Sequence, residues 1–137
     1  MTETTSSEAA RRFHGAWRYV ESTLDGKPPP GRDGGGKGII YYDPSGAMVV
    51  QVAPNRARVR AGSEPTPEEA KAALAGYVAY FGTYSVDPHA RTVTHHRQGS
   101  VQPGDVADLV RGYAFVGERL VLSPPGSTYQ VVWERIR

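Results

Sequence analysis

The residues best suited to chemistry in this 137-residue chain are His95, Arg111 and Tyr113. Each lies in an alternating stretch that predicts a β-strand, so successive side chains face opposite sides of a sheet. A histidine exchanges protons near neutral pH, an arginine presents a fork of donors to an anion, and a tyrosine hydroxyl donates or accepts hydrogen bonds. Together these groups could polarise a substrate or move a proton.

His95 and His96 are adjacent on one predicted strand, so only one of them faces the interior. His95 is internal if Val86 and Val93 are internal, and Tyr84 then lies across from it. His96 is internal if the polar face of the strand points inward. We favour His95 and keep His96 as a candidate ligand contact. An internal histidine is either a hydrogen-bonded core residue or a general acid or base.

A two-residue turn, Gly117-Glu118, predicts a hairpin that fixes the faces of its two strands. The hairpin pairs Phe115 with Leu120 and Tyr113 with Leu122. These side chains are apolar or aromatic, so we place them inside, and Arg111 points inward with them.

An arginine inside a folded domain requires a partner, because an unpaired buried charge is costly. Two partners are open for Arg111. One is an acid from a neighbouring strand, for which Glu21 is the candidate if it shares a face with Trp17 and Tyr19. The other is an anionic group of a bound ligand, held by the guanidinium donors.

The histidines do not have the spacing of metal ligands, since the chain contains neither H-x-H nor H-E-x-x-H. We therefore expect no metal site and no cofactor. Cysteine is absent, which excludes disulfides and thiolate chemistry. The basic residues are spread singly and the net charge is only +2, so we expect no nucleic-acid partner.

The composition predicts one globular domain, with 39% hydrophobic and 22% charged residues. No apolar run is long enough to span a membrane, so we expect no membrane partner. The first residues are polar and do not resemble a secretory signal, which favours the cytoplasm. We expect a flexible tail over residues 1–12, with at most one helical turn at its end, and a domain over 13–137.

The elements that must position the candidate residues follow from turn and cap signals. Residues 43–46 (DPSG) predict a type I turn that pairs Tyr42 with Met48 and Ile40 with Val50. Thr66-Pro67-Glu68-Glu69 predicts a helix start, and apolar spacing extends the helix to about residue 81. The Gly- and Pro-rich residues 25–37 predict a mobile loop. The fold class is therefore mainly β: a single eight-stranded antiparallel up-and-down β-barrel with one α-helix over about 66–81.

The order of motifs resembles the bacterial and fungal lipocalin-like domain proteins from about residue 13 to the C-terminus. The motifs are GAWRYV at residues 15–20, YDPSGAM at 42–48, TVTHH at 92–96 and VWER at 132–135. The resemblance implies a closed barrel with an internal ligand cavity. It does not imply one activity, although some barrels of this kind act as cyclases or isomerases in natural-product pathways.

The predicted interior is rich in aromatic rings and phenol hydroxyls, which favours a cavity for an apolar, oxygenated molecule. A solid core is the alternative. The candidate ligand-binding residues are Trp17, Tyr19, Tyr42, Met48, Val50, Tyr84, His96, Phe115, Leu122, Tyr129 and Trp133.

Three functions are compatible with this pattern. The first is a barrel that binds a hydrophobic small molecule. The second is a cofactor-free cyclase or isomerase that uses the same cavity, with His95, Tyr113 and Arg111 as catalytic residues. The third is an interaction module that uses outward apolar side chains such as Val110 and Val116, and we expect a monomer or a homodimer.

Overall fold

The structure, a computed structural model, describes residues 6–29, 36–56 and 60–137. Eight antiparallel strands form a closed barrel in which each strand pairs with its neighbour in the chain and the last pairs with the first. The strands are β1 (Gly15–Leu24), β2 (Gly36–Tyr42), β3 (Ala47–Pro54), β4 (Val78–Asp87), β5 (Thr92–Ser100), β6 (Leu109–Val116), β7 (Arg119–Ser123) and β8 (Tyr129–Arg135), with helices α1 (Ser6–Arg11) and α2 (Pro67–Leu74). The predicted fold class is confirmed.

The two hairpin registers predicted from turn residues are correct. Tyr42 pairs with Met48 across β2 and β3, and Tyr113 pairs with Leu122 across β6 and β7. The first turn forms because the Asp43 carboxylate accepts a hydrogen bond from the Ser45 amide at 2.9 Å and Gly46 adopts a φ of 98°. These two turns place the interior faces of four strands.

A β-bulge in β1 corrects the predicted position of Glu21. Tyr19 pairs with Trp133 on β8, but the register shifts between Tyr19 and Glu21. The extra residue reverses the alternation of side chains. Glu21 is therefore exposed, and Ser22 takes the inward position, where its hydroxyl lies 2.7 Å from that of Tyr19. Glu21 does not serve as the internal partner of Arg111.

Helix α2 begins where predicted but ends seven residues earlier than expected. Thr66 and Glu69 form the predicted capping box, and the last helical residue is Leu74. Gly76 then adopts a φ of 73°, and β4 starts at Val78. The β-branched and aromatic residues after Gly76 join the sheet, where pairing with β3 and β5 outweighs their helical spacing. The helix buries none of its residues.

Helix α1 covers one end of the barrel, which we call the closed end. Phe13, just after α1, is fully buried and lies edge-on against Tyr42, Tyr113 and Phe115 at 4.9–5.2 Å between ring centroids. The Trp17 indole donates to the Phe13 carbonyl at 2.8 Å. Part of the segment predicted as a tail is therefore helical and packed, because its apolar residues fill this end.

The opposite end, which we call the open end, carries the longer connections between strands, including α2. Pro29 is buried there, and residues 30–35 of the loop predicted over 25–37 lie outside the described residues. Among the helices of the described ranges, neither has the length or apolarity needed to cross a membrane.

Candidate functional site

A cavity of about 710 Å³ occupies the half of the barrel nearer the open end. This volume suits a small organic ligand. Seven of the residues selected from the sequence line it: Tyr19, Val50, His95, Arg111, Leu122, Tyr129 and Trp133. Apolar walls from β3, β7 and β8 thus surround a few polar side chains from β4, β5 and β6.

Six other selected residues do not line the cavity, namely Trp17, Tyr42, Met48, Tyr84, Tyr113 and Phe115. They face inward, but in the closed half of the barrel, where Phe13 occupies the space between them. The sequence places these side chains on the correct face but gives no depth along the barrel axis. Tyr113, predicted as a catalytic residue, lies outside the cavity lining and packs edge-on against Phe13, with 4.9 Å between the ring centroids.

His96 faces outward, which corrects its assignment as a ligand contact. Its ring bonds the Ser85 hydroxyl at 2.8 Å and the Asp108 carboxylate at 3.0 Å on the outer surface. Alternation along β5 then directs His95 inward, as favoured from the sequence, and His95 is only 2% exposed. His95 pairs with Tyr84 in the ladder, also as predicted.

His95 is held between two tyrosine hydroxyls rather than opposite an acid. The Tyr42 hydroxyl lies 2.6 Å from Nε2 of His95, and the Tyr80 hydroxyl lies 2.7 Å from Nδ1. Tyr42 is buried beneath the cavity, whereas Tyr80 lines it. This phenol–imidazole–phenol chain therefore runs from the core to the cavity wall.

The sequence analysis missed Tyr80 because it assigned residues 66–81 to a helix. Tyr80, Gly82, Tyr84 and Val86 share the inward face of β4, and this alternation of period two was the available signal. Gly82 is required in this row, since a Cβ there would lie 2.0 Å from the His96 carbonyl oxygen. The glycine permits the close approach of β4 and β5 at their bulge.

Burial has the largest effect on the pKa values of the three residues in this hydrogen-bonded series. It lowers the pKa of His95 to about 3, with further lowering by the nearby charges of Arg111, His96 and Arg97. Burial also raises the pKa of Tyr80 to about 12 and that of Tyr42 well above its usual range. At neutral pH all three groups are uncharged, so the chain offers hydrogen bonds rather than a strong base.

Two arginines supply positive charge to the cavity wall, and they differ in their partners. Arg97, which the sequence analysis also missed, lies 3.6 Å from the Asp105 carboxylate and donates to the Ala107 carbonyl at 2.7 Å. Among the described residues, Arg111 donates only to the adjacent Val110 carbonyl, at 2.9 Å. Across residues 6–29, 36–56 and 60–137, no carboxylate lies within 4.0 Å of the Arg111 guanidinium.

Trp133 adds a second incompletely bonded group to the wall. It is 3% exposed, and its indole Nε1 has no hydrogen-bond partner within the described part of the chain. Buried donors without a partner are rare in folded proteins, and this one belongs to a residue that lines the cavity. The described ranges also contain no cluster of three or more His, Cys, Asp or Glu side chains arranged to hold a metal ion.

The comparison with known proteins agrees with this architecture. A family model described as a lipocalin-like domain matches residues 14–136, which include all eight strands. No curated protein matches the chain. With the closed barrel and its internal cavity, this match shows that the chain belongs to the lipocalin-like domain family.

Proposed function

We propose that the barrel binds an apolar, oxygenated small molecule in its internal cavity. The observation that carries this proposal is the composition of the cavity wall. Aliphatic and aromatic side chains surround about 710 Å³ of space, and a few polar groups converge on it from β4, β5 and β6. Apolar burial would supply most of the affinity, and the polar groups would fix the orientation.

A neutral fluorescent probe, N-phenyl-1-naphthylamine, tests this proposal directly. We expect saturable binding, and we expect Val52→Trp to weaken it by about tenfold or more, because Val52 lines the cavity. Val49→Trp is the matched control, since Val49 lies on the outer face of the same strand and is 48% exposed. Absence of saturable binding, or equal effects of the two variants, would contradict the proposal.

A cofactor-free cyclase or isomerase is the second candidate, supported by the hydrogen-bonded chain of Tyr42, His95 and Tyr80. A histidine with a pKa of about 3 is a weak general base at neutral pH. Catalysis in this cavity would therefore rely on folding the substrate and on polarising a carbonyl through Tyr80 or Arg111. Tyr80 takes the role that the sequence analysis gave to Tyr113.

Cyclisations and isomerisations of carbonyl compounds commonly begin with transfer of a proton from the carbon beside the polarised carbonyl to a base, which in this cavity would be water. Exchange of the α-protons of 2-tetralone in D2O, followed by proton NMR, measures this step without knowledge of the natural substrate. If the second candidate is correct, the protein accelerates the exchange and Tyr80→Phe abolishes the acceleration. An exchange rate equal to that of buffer would leave small-molecule binding as the function.

A further inference from the structure

The direction of the hydrogen bonds through His95 can be assigned from the burial of Tyr42. At neutral pH the His95 ring is uncharged, so one ring nitrogen carries a hydrogen and the other accepts one. One tyrosine hydroxyl must then donate to the ring and the other must accept from it. Two arrangements are possible, and they differ in what the cavity receives.

Tyr42 determines which arrangement is stable. Its side chain has no exposed surface, and within residues 6–29, 36–56 and 60–137 its hydroxyl bonds only His95 Nε2. If Nε2 donated, the hydroxyl hydrogen of Tyr42 would be buried without an acceptor, which carries a full desolvation cost. Tyr42 therefore donates to Nε2, and the Nδ1 hydrogen of His95 is donated to the Tyr80 oxygen.

This polarity leaves the Tyr80 hydroxyl hydrogen directed away from His95. Within the described ranges, His95 is also the only hydrogen-bond partner of that hydroxyl, and Tyr80 lines the cavity. The core thus uses one buried histidine to turn a tyrosine into an oriented donor at the cavity wall. A donor whose oxygen already accepts a hydrogen bond is a stronger donor.

Arg111 lines the same cavity as this donor, and its positive charge favours a negatively charged ligand group. The charges of Arg111 and Arg97 both act to lower the pKa of Tyr80, but burial outweighs them and raises it to about 12; the Arg97 guanidinium lies 5.6 Å from the centre of the Tyr80 ring. Arg111 has no carboxylate partner within the described chain, whereas Arg97 on the same wall is paired with Asp105. Of these two arginines of the cavity wall, Arg111 is therefore the one whose guanidinium is available to an anionic ligand group, and it shares this cavity with the oriented hydroxyl.

We propose that Tyr80 and Arg111 form an oxyanion site that anchors the carboxylate of an otherwise apolar ligand. The hydroxyl donates to one carboxylate oxygen and the guanidinium fork donates to the group as a whole. The apolar remainder of the ligand extends along the walls of β3, β7 and β8. This site deepens the proposed function, on which it rests, by naming the ligand as an acid.

The first test concerns the protein without ligand. Nitrogen-15 NMR of histidine-labelled protein distinguishes the two neutral forms of an imidazole ring. We expect the neutral His95 ring to be the tautomer protonated at Nδ1 at pH 7, since Tyr42 donates to Nε2. A tautomer protonated at Nε2, or an imidazolium ring, would overturn the assigned direction of the hydrogen bonds and with it the oriented donor.

The second test compares ligands that differ only in the head group. Decanoate, decanol and methyl decanoate are competed against bound N-phenyl-1-naphthylamine at pH 7.5. We expect decanoate to bind about tenfold or more tightly than the two neutral molecules. Tyr80→Phe and Arg111→Met are each expected to remove most of this preference. Arg119→Met is the control, because Arg119 is the exposed first residue of β7, and this variant should keep the preference for decanoate.

The two proposals fail in different ways. If the neutral probe does not bind, the cavity does not take up small molecules, and both proposals fall. If the probe binds to every variant but decanoate has no advantage in the wild type, the oxyanion site alone is wrong. The site is also wrong if the preference survives Arg111→Met. Retention of probe binding by the variants shows that they are folded.

Discussion

Each half of the barrel contains a tryptophan and an arginine, but these side chains are more fully hydrogen-bonded in the closed half than in the open half. In the closed half, Arg135 donates to the carbonyls of His14 and Arg12 at 2.8 and 2.7 Å and stacks on the Trp17 ring at 4.0 Å. The Trp17 indole also has its acceptor. In the open half, and within the described residues, the Arg111 guanidinium bonds only its neighbouring carbonyl and the Trp133 indole has no partner.

This difference indicates that the closed half contributes most to the stability of the barrel and that a ligand is expected in the open half. The closed half is filled, with the donors of Trp17 and Arg135 bonded, so removal of its side chains leaves cavities and orphaned carbonyls. The open half already contains a cavity of about 710 Å³, and its Arg111 guanidinium has no carboxylate partner in the described ranges, so neither feature adds to the packing of the barrel. We therefore expect mutations in the two halves to separate stability from binding.

Truncation of the aromatic plug is expected to have the largest effect. Phe13→Ala removes a fully buried ring with three edge-on aromatic neighbours, and should lower the free energy of unfolding by about 3–5 kcal/mol. Tyr129→Ala is the counterpart at the cavity wall and should cost about 1 kcal/mol, because that ring is only partly buried. Urea denaturation measures both values, and equal losses would remove the distinction between the halves.

The buried histidine predicts a specific acid sensitivity. Folding lowers the pKa of His95 from about 6.5 to about 3, so the unfolded chain binds one more proton between these values. Stability is unaffected by this group above pH 6.5 and falls by about 1.4 kcal/mol per pH unit as the pH drops through the window. Tyr42 and Tyr80 bond the ring, the charges of Arg111, His96 and Arg97 act on it, and none of these five residues carries a carboxylate.

His95→Gln should remove this component from the acid dependence. Denaturation midpoints between pH 4 and 7 provide the measurement, and the comparison concerns the slope with pH rather than the stability at one pH. His96→Gln, on the outer face of the same strand, should retain the His95 component. An unchanged slope in His95→Gln would show that His95 is protonated in the folded barrel.

The two arginines provide the third comparison. Arg135→Met leaves two carbonyls near the closed end without their donor and removes a cation–π contact, so we expect a loss of about 1–3 kcal/mol. Arg111→Met should leave the free energy of unfolding within about 0.5 kcal/mol of the wild type, since it removes an unpaired charge. A large loss for Arg111→Met would reveal a structural partner and weaken the proposed oxyanion site.

The sequence predicted the barrel because its turns are local. The turn at residues 43–46 and the Gly117-Glu118 turn each fix a register through their own backbone requirements, and one register determines every face on the two strands. Closure of the predicted barrel also implies that the last strand pairs with the first, and Trp133 lies beside Tyr19 there. Alternation then placed His95 and Arg111 inside.

The sequence did not predict how far along the barrel axis each side chain lies, nor which side chains complete the cavity wall. Depth along the barrel depends on Phe13, which enters from outside the sheet and fills the closed half. The bulge after Tyr19 arises from pairing with β8, which no local pattern encodes. Tyr80 lies where helical spacing and alternation overlap, and only the pairing of β4 with β3 and β5 decides between them. Of the three polar residues on which the proposals rest, His95 and Arg111 were selected from the sequence, and Tyr80 was not.

The smallest expected effect concerns the helices at the two ends. Helix α1 buries Ala9 at the closed end, whereas α2 buries none of its residues and should open without unfolding the barrel. Thr66→Ala removes the cap that accepts from the Glu69 amide at 3.1 Å. We expect the Glu69 and Ala70 amides to exchange about fivefold faster, while the global free energy of unfolding changes by less than about 0.5 kcal/mol.

The Phe13 amide at the closed end, which donates to the Ala10 carbonyl, is the control and should keep its rate. If Thr66→Ala instead lowered the protection of both ends together, α2 would be part of the cooperative barrel, and the open end would be as firmly built as the closed one.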